Sequence, residues 1–323
     1  MRVLVTGANG FVGGALLRRL VALDAWRPIA AVRKLPRDSA TIGDAVEHVE
    51  LGDLARGMFR SVLFTGVDAI VHCAAQVEVK AKVESDPLSV LRAVNVDGTL
   101  ALAKKAALEG VKRFVFLSSI KVNGETTAPG EPFKADDVPA PEDGYGVSKL
   151  EAERGLMQLA RETGMEVVII RPPLVYGPGV EGNFGSLIRL VGKGIPLPFG
   201  LIRNKRSLVG IDNLVDLVVR CLDHPAAANQ VFLAGDGQDL STAELVGALA
   251  MAMNKQPRLL PVPAGALHLG ARLIGRRAVA RRLLGSLQLD ISKTCERLDW
   301  QPPYSVEEGL RCCFDGSSER GHL

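Results

Sequence analysis

MRVLVTGANGFVGGALLRRL, residues 1–20, decides the fold. An apolar, β-branched run (RVLVT, 2–6) meets a glycine turn, and an amphipathic stretch (11–22) follows at once. Within GANGFVG (7–13), Gly7 permits a tight turn, Gly10 lets backbone approach a pyrophosphate, and Gly13 allows close helix packing. The helix N-terminus then offers N–H donors and partial positive charge to phosphates. A plain turn is the competing reading, but strand, glycine turn and helix in this order are the context that phosphate binding needs.

Outward from this unit, short apolar runs alternate with helical patterns. Strands are expected at PIAAV (28–32), AVEHVEL (45–51), DAIVHCA (68–74), RFVFLSS (113–119) and EVVIIR (166–171), with helices at 86–109 and 144–164. Several of these runs are apolar on both faces, as in a parallel sheet covered by helices on each side, so the series predicts a doubly wound α/β sheet. Beyond it, PPLVYGPGVEGNF (172–184) and GKGIPLPFG (192–200) read as loops. IDNLVDLVVRCL (211–222) reads as a helix, QVFLAG (230–235) as a strand, and STAELVGALAMAM (241–253) as a helix opened by a capping box. The expected division is a dinucleotide-binding domain at 1–171 and a smaller, mainly substrate-binding lobe at 172–323. Residues 211–235 are expected to return to the first domain.

Bulk composition excludes several classes. The 323 residues are 47% hydrophobic and 23% charged, and 39 basic against 36 acidic side chains leave a net charge of +3. That balance argues against nucleic acid as the main partner. The five cysteines show no metal-type spacing, and no metal is expected. Cys73 falls in an expected core strand, where a thiol packs as a small hydrophobe. No signal peptide is expected before the first strand, and no uncharged apolar run is long enough to span a bilayer. A cytoplasmic setting is the expectation.

Further motifs sit where the expected strands end. The second strand runs out as AAVRK, so Arg33 stands where an acidic residue would accept from a ribose, and the next carboxylate is Asp38. A guanidinium suits a 2′-phosphate, which favours NADP(H) while leaving NAD(H) possible; the alternative is a solvated basic turn. Asp53 in GDL is placed either to accept from an adenine amino group or to cap a helix. In HCAA (72–75), Ala74 and Ala75 leave room for a cofactor, and His72 reads as a packing residue. LSSIKVNG (117–124) turns polar at a strand end, and DGYGVSKLEAE (143–153) places Tyr145 and Lys149 at i and i+4 on one helical face. A phenol titrates near a pKa of about 10, so a neighbouring ammonium and a cationic nicotinamide are expected to lower it for acid–base work.

Together, GANGFVG, HCAA, Asn95 in NVDGT, the Ser119 strand end and YGVSK resemble the extended short-chain dehydrogenase/reductase family. Within that family the chain is similar to the epimerase/dehydratase branch acting on nucleotide sugars, and SKTCERLDWQPPYSVEEGL (292–310) is similar to that branch's C-terminal signature. The resemblance implies a Rossmann-type sheet with Ser119, Tyr145 and Lys149 catalytic and Asn95 supporting the lysine. It assigns the dinucleotide to Gly7, Asn9, Gly10, Phe11, Val12, Gly13, Arg33, Asp53, Leu54, Ala74, Ala75, Tyr145, Lys149 and Pro172. It assigns the substrate to Ser119, Lys121, Tyr145, Asn183 and Arg206, with Arg206 on the UDP-sugar diphosphate. Many relatives dimerise through helices matching 86–109 and 144–164, so a homodimer is expected.

Dehydratases of the branch carry an Asp-Glu pair where this chain has Ile120 and Lys121, and an isoleucine cannot transfer a proton. Asn123 and Gly210 replace larger residues of relatives and are expected to enlarge or reshape the sugar pocket. RPPLVYGPG (171–179) and GSLQLD (285–290) resemble enzymes of bacterial O-antigen, hence lipopolysaccharide, assembly. Those enzymes reduce UDP-4-keto-6-deoxy-N-acetylhexosamines. A 4-ketoreductase is therefore expected first, a 4-epimerase second, and a non-catalytic dinucleotide-sensing protein third. Residues 264–286 are basic and amphipathic, and read either as a lobe helix packed by its Leu/Ile face or as a stretch lying on an anionic membrane. The tail 315–323 carries no inference.

Overall fold

The computed structural model describes residues 1–35, 46–77, 86–128, 130–273, 275 and 277–315. Strand β1 (Arg2–Thr6) runs into α1 (Phe11–Val21), followed by β2 (Arg27–Val32), β3 (Glu47–Glu50), β4 (Ala69–His72), α2 (Pro87–Arg92), α3 (Thr99–Leu108), β5 (Arg113–Leu117), α4 (Gly144–Thr163) and β6 (Glu166–Arg171). Then come β7 (Leu174–Tyr176), α5 (Gly182–Gly192), β8 (Leu208–Gly210), α6 (Ile211–Asp223), β9 (Gln230–Leu233) and α7 (Thr242–Ala252). Four helices close the chain: α8 (Ala264–Leu273), α9 (Arg277–Leu284), α10 (Ser292–Leu298) and α11 (Val306–Asp315).

Seven strands form one parallel sheet in the order β3-β2-β1-β4-β5-β6-β9. Strand alternation divides its apolar residues between two cores. Val3, Val5 and Val115 face α1 and α6, whereas Leu4, Phe114 and Phe116 face α3 and α4. That two-sided burial is why the strands read as continuous apolar runs, and each fully buried aliphatic side chain contributes about 1.5–3 kcal/mol. The order reverses between β1 and β4, and the crevice outside the strand carboxyl ends at that reversal is where such sheets bind ligands. Strand β9 pairs with β6, and α6 packs on α1, so 211–233 belongs to this layer.

Two stretches differ from the reading of the sequence. The span 86–109 is α2 and α3 joined by a π-helical turn over Ala93–Gly98. Gly98 lies so close to the loop after β3 that a Cβ there would sit 2.5 Å from the Leu54 carbonyl oxygen. The span 172–184 contains β7 and the start of α5, and β7 pairs with β8 in a second, two-stranded sheet.

The lobe has its own core of Tyr176, Phe184, Leu187, Val246, Leu249 and Leu310. The expected capping box opens α7, with Ser241 Oγ accepting from the Glu244 amide at 3.1 Å and Glu244 Oε2 accepting from the Ser241 amide at 2.7 Å. Within 264–286, expected to pack by a Leu/Ile face, α9 buries Ala280, whereas α8 packs on α9 with Leu267 and Ala271 only half-buried and no residue fully buried. The carboxylate expected at Asp38 and the tail 316–323 lie outside the described residues.

The tightest point is the glycine turn, where a Cβ on Gly13 would lie 2.2 Å from the Gly7 carbonyl oxygen. Gly13→Ala should therefore lower the unfolding free energy by roughly 1–3 kcal/mol, as overpacking does. Urea unfolding of the variant with an unchanged midpoint would refute that packing.

Candidate active site

At the sheet reversal, a cleft of about 310 Å³ is lined by Gly7, Asn9, Gly10, Arg33, Leu54, Ala74 and Ala75 of the expected set. Ala8, Ala31, Val32, Leu51, Gly52, Cys73, Gln76 and Val94 complete it, and sequence reading missed them. Their signal was position alone, since several follow directly on strand carboxyl ends. Gly7 has φ +65°, and a Cβ there would lie 2.8 Å from the Ala74 amide nitrogen. The phosphate turn thus sits flush against the loop after β4, as close backbone approach to a dinucleotide requires. Val12 and Gly13 stand in the first turn of α1, whose amides have no acceptor within the helix. Phe11 heads α1 but lines another cavity, between α1 and α6. Cleft shape, glycine turn and open helix end fit a dinucleotide.

Several expected side chains have other duties. Asp53 caps the short turn 54–56, accepting from the Ala55 amide at 3.1 Å, while its neighbours Gly52 and Leu54 line the cleft. Cys73 lies just past β4, and burial pushes its thiol up to about 12, so it stays neutral. His72 is wholly buried and hydrogen-bonds Thr6 at 2.7 Å and Thr99 at 3.0 Å. Burial, then Lys149, push its pKa down to about 3. It is a packing residue, as its sequence context suggested.

Catalytic candidates collect where β5 ends. Ser119 follows that strand and caps the short turn 120–122, accepting from the Lys121 amide at 3.3 Å. Helix α4 begins against this turn, for a Cβ on Gly146 would lie 2.7 Å from the Lys121 carbonyl oxygen. Tyr145, half-buried, is therefore held beside the end of β5. One helical turn on, Lys149 is buried, donates to the Leu117 carbonyl at 2.6 Å, and lies 4.2 Å from the Phe116 ring centroid. Burial lowers Lys149 to about 7, against the opposing pull of Glu153. Tyr145 is raised to about 12 by burial and then by Asp143, contrary to the expected lowering. The ammonium, 6.0 Å from the tyrosine ring centroid, is turned towards a strand carbonyl, so burial wins in the protein alone.

Asn95 sits in the π-helical turn and does not reach the lysine directly. Its amide donates to the Gln76 carbonyl at 2.8 Å and to Ser148 Oγ at 3.0 Å, and its oxygen accepts from the Gln76 amide at 2.8 Å. It clamps the cleft loop to α4. Pro172 follows β6, and its carbonyl accepts from the Ile120 amide at 3.0 Å.

Beneath these groups lies a buried polar network not foreseen from sequence. Arg171 makes a two-pronged ion pair with Glu153 at 2.9 and 2.6 Å, and Ser118 Oγ donates to the same carboxylate. Asn123 Oδ1 accepts from Arg171 at 2.9 Å, so this residue braces the arginine and does not enlarge a sugar pocket. Gly210 is likewise no pocket residue. Its amide donates to Asp236 at 2.8 Å, and a Cβ there would sit 3.4 Å from the Tyr176 hydroxyl.

At the mouth between the sheet and the lobe, Lys121 pairs with Asp143 and with Glu125 at 3.2 Å. Arg281 of α9 bridges Glu125 at 2.8 Å and Glu142 at 2.6 Å. Arg206, half-buried, donates to the Gly285 carbonyl at 3.1 Å. Burial and Arg282 push it down, with Glu125 opposing, which leaves a cation favourably placed for an anion. Asn183 is exposed in the first turn of α5.

Sheet order, glycine turn and cleft define a Rossmann-type dinucleotide-binding α/β protein. The chain belongs to the NAD dependent epimerase/dehydratase family, whose profile matches residues 3–235, and is an enzyme of the extended short-chain dehydrogenase/reductase type. It is 50% identical over 311 residues to a UDP-glucose 4-epimerase of Vibrio cholerae, covering 96% of this chain and 93% of that protein. A GDP-6-deoxy-D-mannose reductase of Pseudomonas aeruginosa is 28% identical, covering 99% of this chain and 98% of that protein. The solved structure of a Thermotoga maritima UDP-glucose 4-epimerase with UDP-glucose superposes with TM-score 0.76 at 25% identity, over 97% of each chain. Neighbouring structures of the same fold hold NAD.

Lys149 yields a stability prediction. A folded pKa near 7 against an ordinary value of 10.5 means that the unfolded chain binds more protons between those values. The buried ammonium therefore costs stability at neutral pH, and the cost fades as pH rises through that window. Lys149→Met should consequently gain on the wild type at pH 7, and its relative gain should shrink by roughly 2 kcal/mol by about pH 9. Urea titrations giving a pH-independent difference would show that the lysine is not so buried.

Proposed function

We propose that the protein is a UDP-sugar 4-epimerase, acting on a UDP-hexose or UDP-N-acetylhexosamine. The reading rests on one arrangement, Tyr145 and buried Lys149 pressed by Gly146 against the strand end that carries Ser119. Full-length likeness to the Vibrio cholerae epimerase supports it over the 4-ketoreductase expected first from sequence. A bound nicotinamide dinucleotide supplies hydride acceptance and return. Tyr145 takes the proton from the sugar O4 and gives it back, Ser119 donates a hydrogen bond to the same oxygen, and Lys149 holds the ribose and favours phenolate. Asn95 positions α4 through Ser148. Arg206 holds the diphosphate, with Lys121 and Asn183 towards the sugar and nucleotide. Water elimination is not part of this reading. Ile120 is buried and inert beside Ser119, while Glu125 and Asp143 are paired to Lys121 and Arg281.

NAD fits the family and its solved neighbours. A second reading, a 4-ketoreductase using NADPH, is favoured by Arg33 in the cleft and by the reductase among the relatives. A homodimer through 86–109 (α2 and α3) and α4, and a cytoplasmic setting, belong to either reading. Among the described residues, no helix is long and apolar enough to cross a membrane.

Tyr145→Phe should lower turnover by roughly a hundredfold to ten-thousandfold while leaving dinucleotide affinity nearly unchanged. Near-normal turnover would mean that another group moves the proton.

The two readings part on cofactor balance. Incubated with UDP-glucose or UDP-N-acetylglucosamine and no added reductant, the epimerase should produce the C4 epimer. Stoichiometric NADPH loss with a UDP-4-keto-6-deoxyhexosamine, without epimer formation, would establish the reductase. In that case Arg33→Ala should weaken NADPH by roughly 1.5–3 kcal/mol and leave NADH unchanged.

A further inference from the structure

We propose that the outer face of α8, with the adjoining edge of the lobe, is a docking surface for a bilayer carrying anionic lipid headgroups. The surface combines two features that a water-facing helix does not need. First, α8 has no buried residue, yet Leu269 is 59% and Leu273 78% exposed, one helical turn apart on one face. Leu260, 49% exposed, lies four residues before the helix, on a segment whose carbonyl accepts from the Gly200 amide at 2.9 Å. Ile195 and Leu201, both exposed, flank that pairing and add apolar surface to the lobe edge.

Second, the charge is segregated. Between Glu244 and Asp290 the sequence has no acidic residue and seven Lys or Arg, in a chain whose net charge is only +3. The remainder of the chain is therefore net negative. Arg281 is engaged by Glu125 and Glu142, which ties α9 to the sheet domain and leaves α8 outboard. Arg272, exposed beside Leu273, and exposed Arg258 near Leu260 ring the leucines with positive charge. Leucines inserting to the headgroup boundary with flanking cations held at phosphate level is the pattern of an interfacial helix.

The test is flotation of the full-length protein with vesicles of phosphatidylcholine alone and of phosphatidylcholine with phosphatidylglycerol. Wild type should float with the anionic vesicles only, and about 1 M salt, where screening reaches about 3 Å, should release it. The double substitution Leu269→Gln, Leu273→Gln should bind roughly tenfold more weakly or worse. Its thermal midpoint and sugar turnover should match wild type, because neither residue is buried. No flotation of the wild type, or equal flotation of the double variant, would overturn the proposal. So would light scattering showing a wild-type oligomer that the double substitution dissociates, since a second copy would then cover this face.

Discussion

Helix α4 is laced to the end of β5 at three successive turns, and the site depends on that seam. Gly146 meets the Lys121 carbonyl with no room for a Cβ, Lys149 donates to Leu117, and Glu153 accepts from Ser118 while gripping Arg171 of β6. The spacing of about four residues brings each contact to the same helical face. Two strands and one helix are thereby locked in register, with Ser119 at the strand end and Tyr145 at the start of the helix that packs against it. A buried ion pair such as Glu153–Arg171 adds little net stability over an apolar pair, but removing one partner costs about 3–5 kcal/mol. Its contribution is therefore to specify one arrangement.

That seam also sets the electrostatics. Lys149 lies among Phe116, Leu117 and the α4 backbone, where an ammonium is poorly solvated, and Tyr145 is shielded enough to disfavour phenolate. Both groups are poised away from their charged forms in the protein alone. A cationic nicotinamide held in the cleft would favour the Tyr145 phenolate while further disfavouring the Lys149 ammonium. The mouth is arranged differently, with Lys121, Arg281, Glu125, Glu142 and Asp143 forming mutual ion pairs around less well compensated Arg206.

Much of the frame was legible. The strand runs, the glycine turn and the capping box are local patterns, and their physics operates over a few residues. His72 as a packing residue was legible too, because a histidine inside an apolar strand has few other options. Asn123 and Gly210 were misjudged because their partners, Arg171 and Asp236, are 48 and 26 residues away in the chain. Asn95 was tied to the lysine by analogy, whereas its amide spans Gln76 and Ser148, an alignment set by the π-helical turn.

The sequence by itself determined the parallel sheet, the phosphate turn and the Tyr145–Lys149 face, since periodicity and glycine sterics are written in neighbouring residues. Tertiary structure alone decided where charge is stable. Burial depth and the approach of distant elements raise the phenol, lower the lysine, pair Glu153 with Arg171 and leave α8 uncovered. Those quantities depend on how closely chain segments far apart in sequence exclude water from one another, and no local pattern encodes that distance.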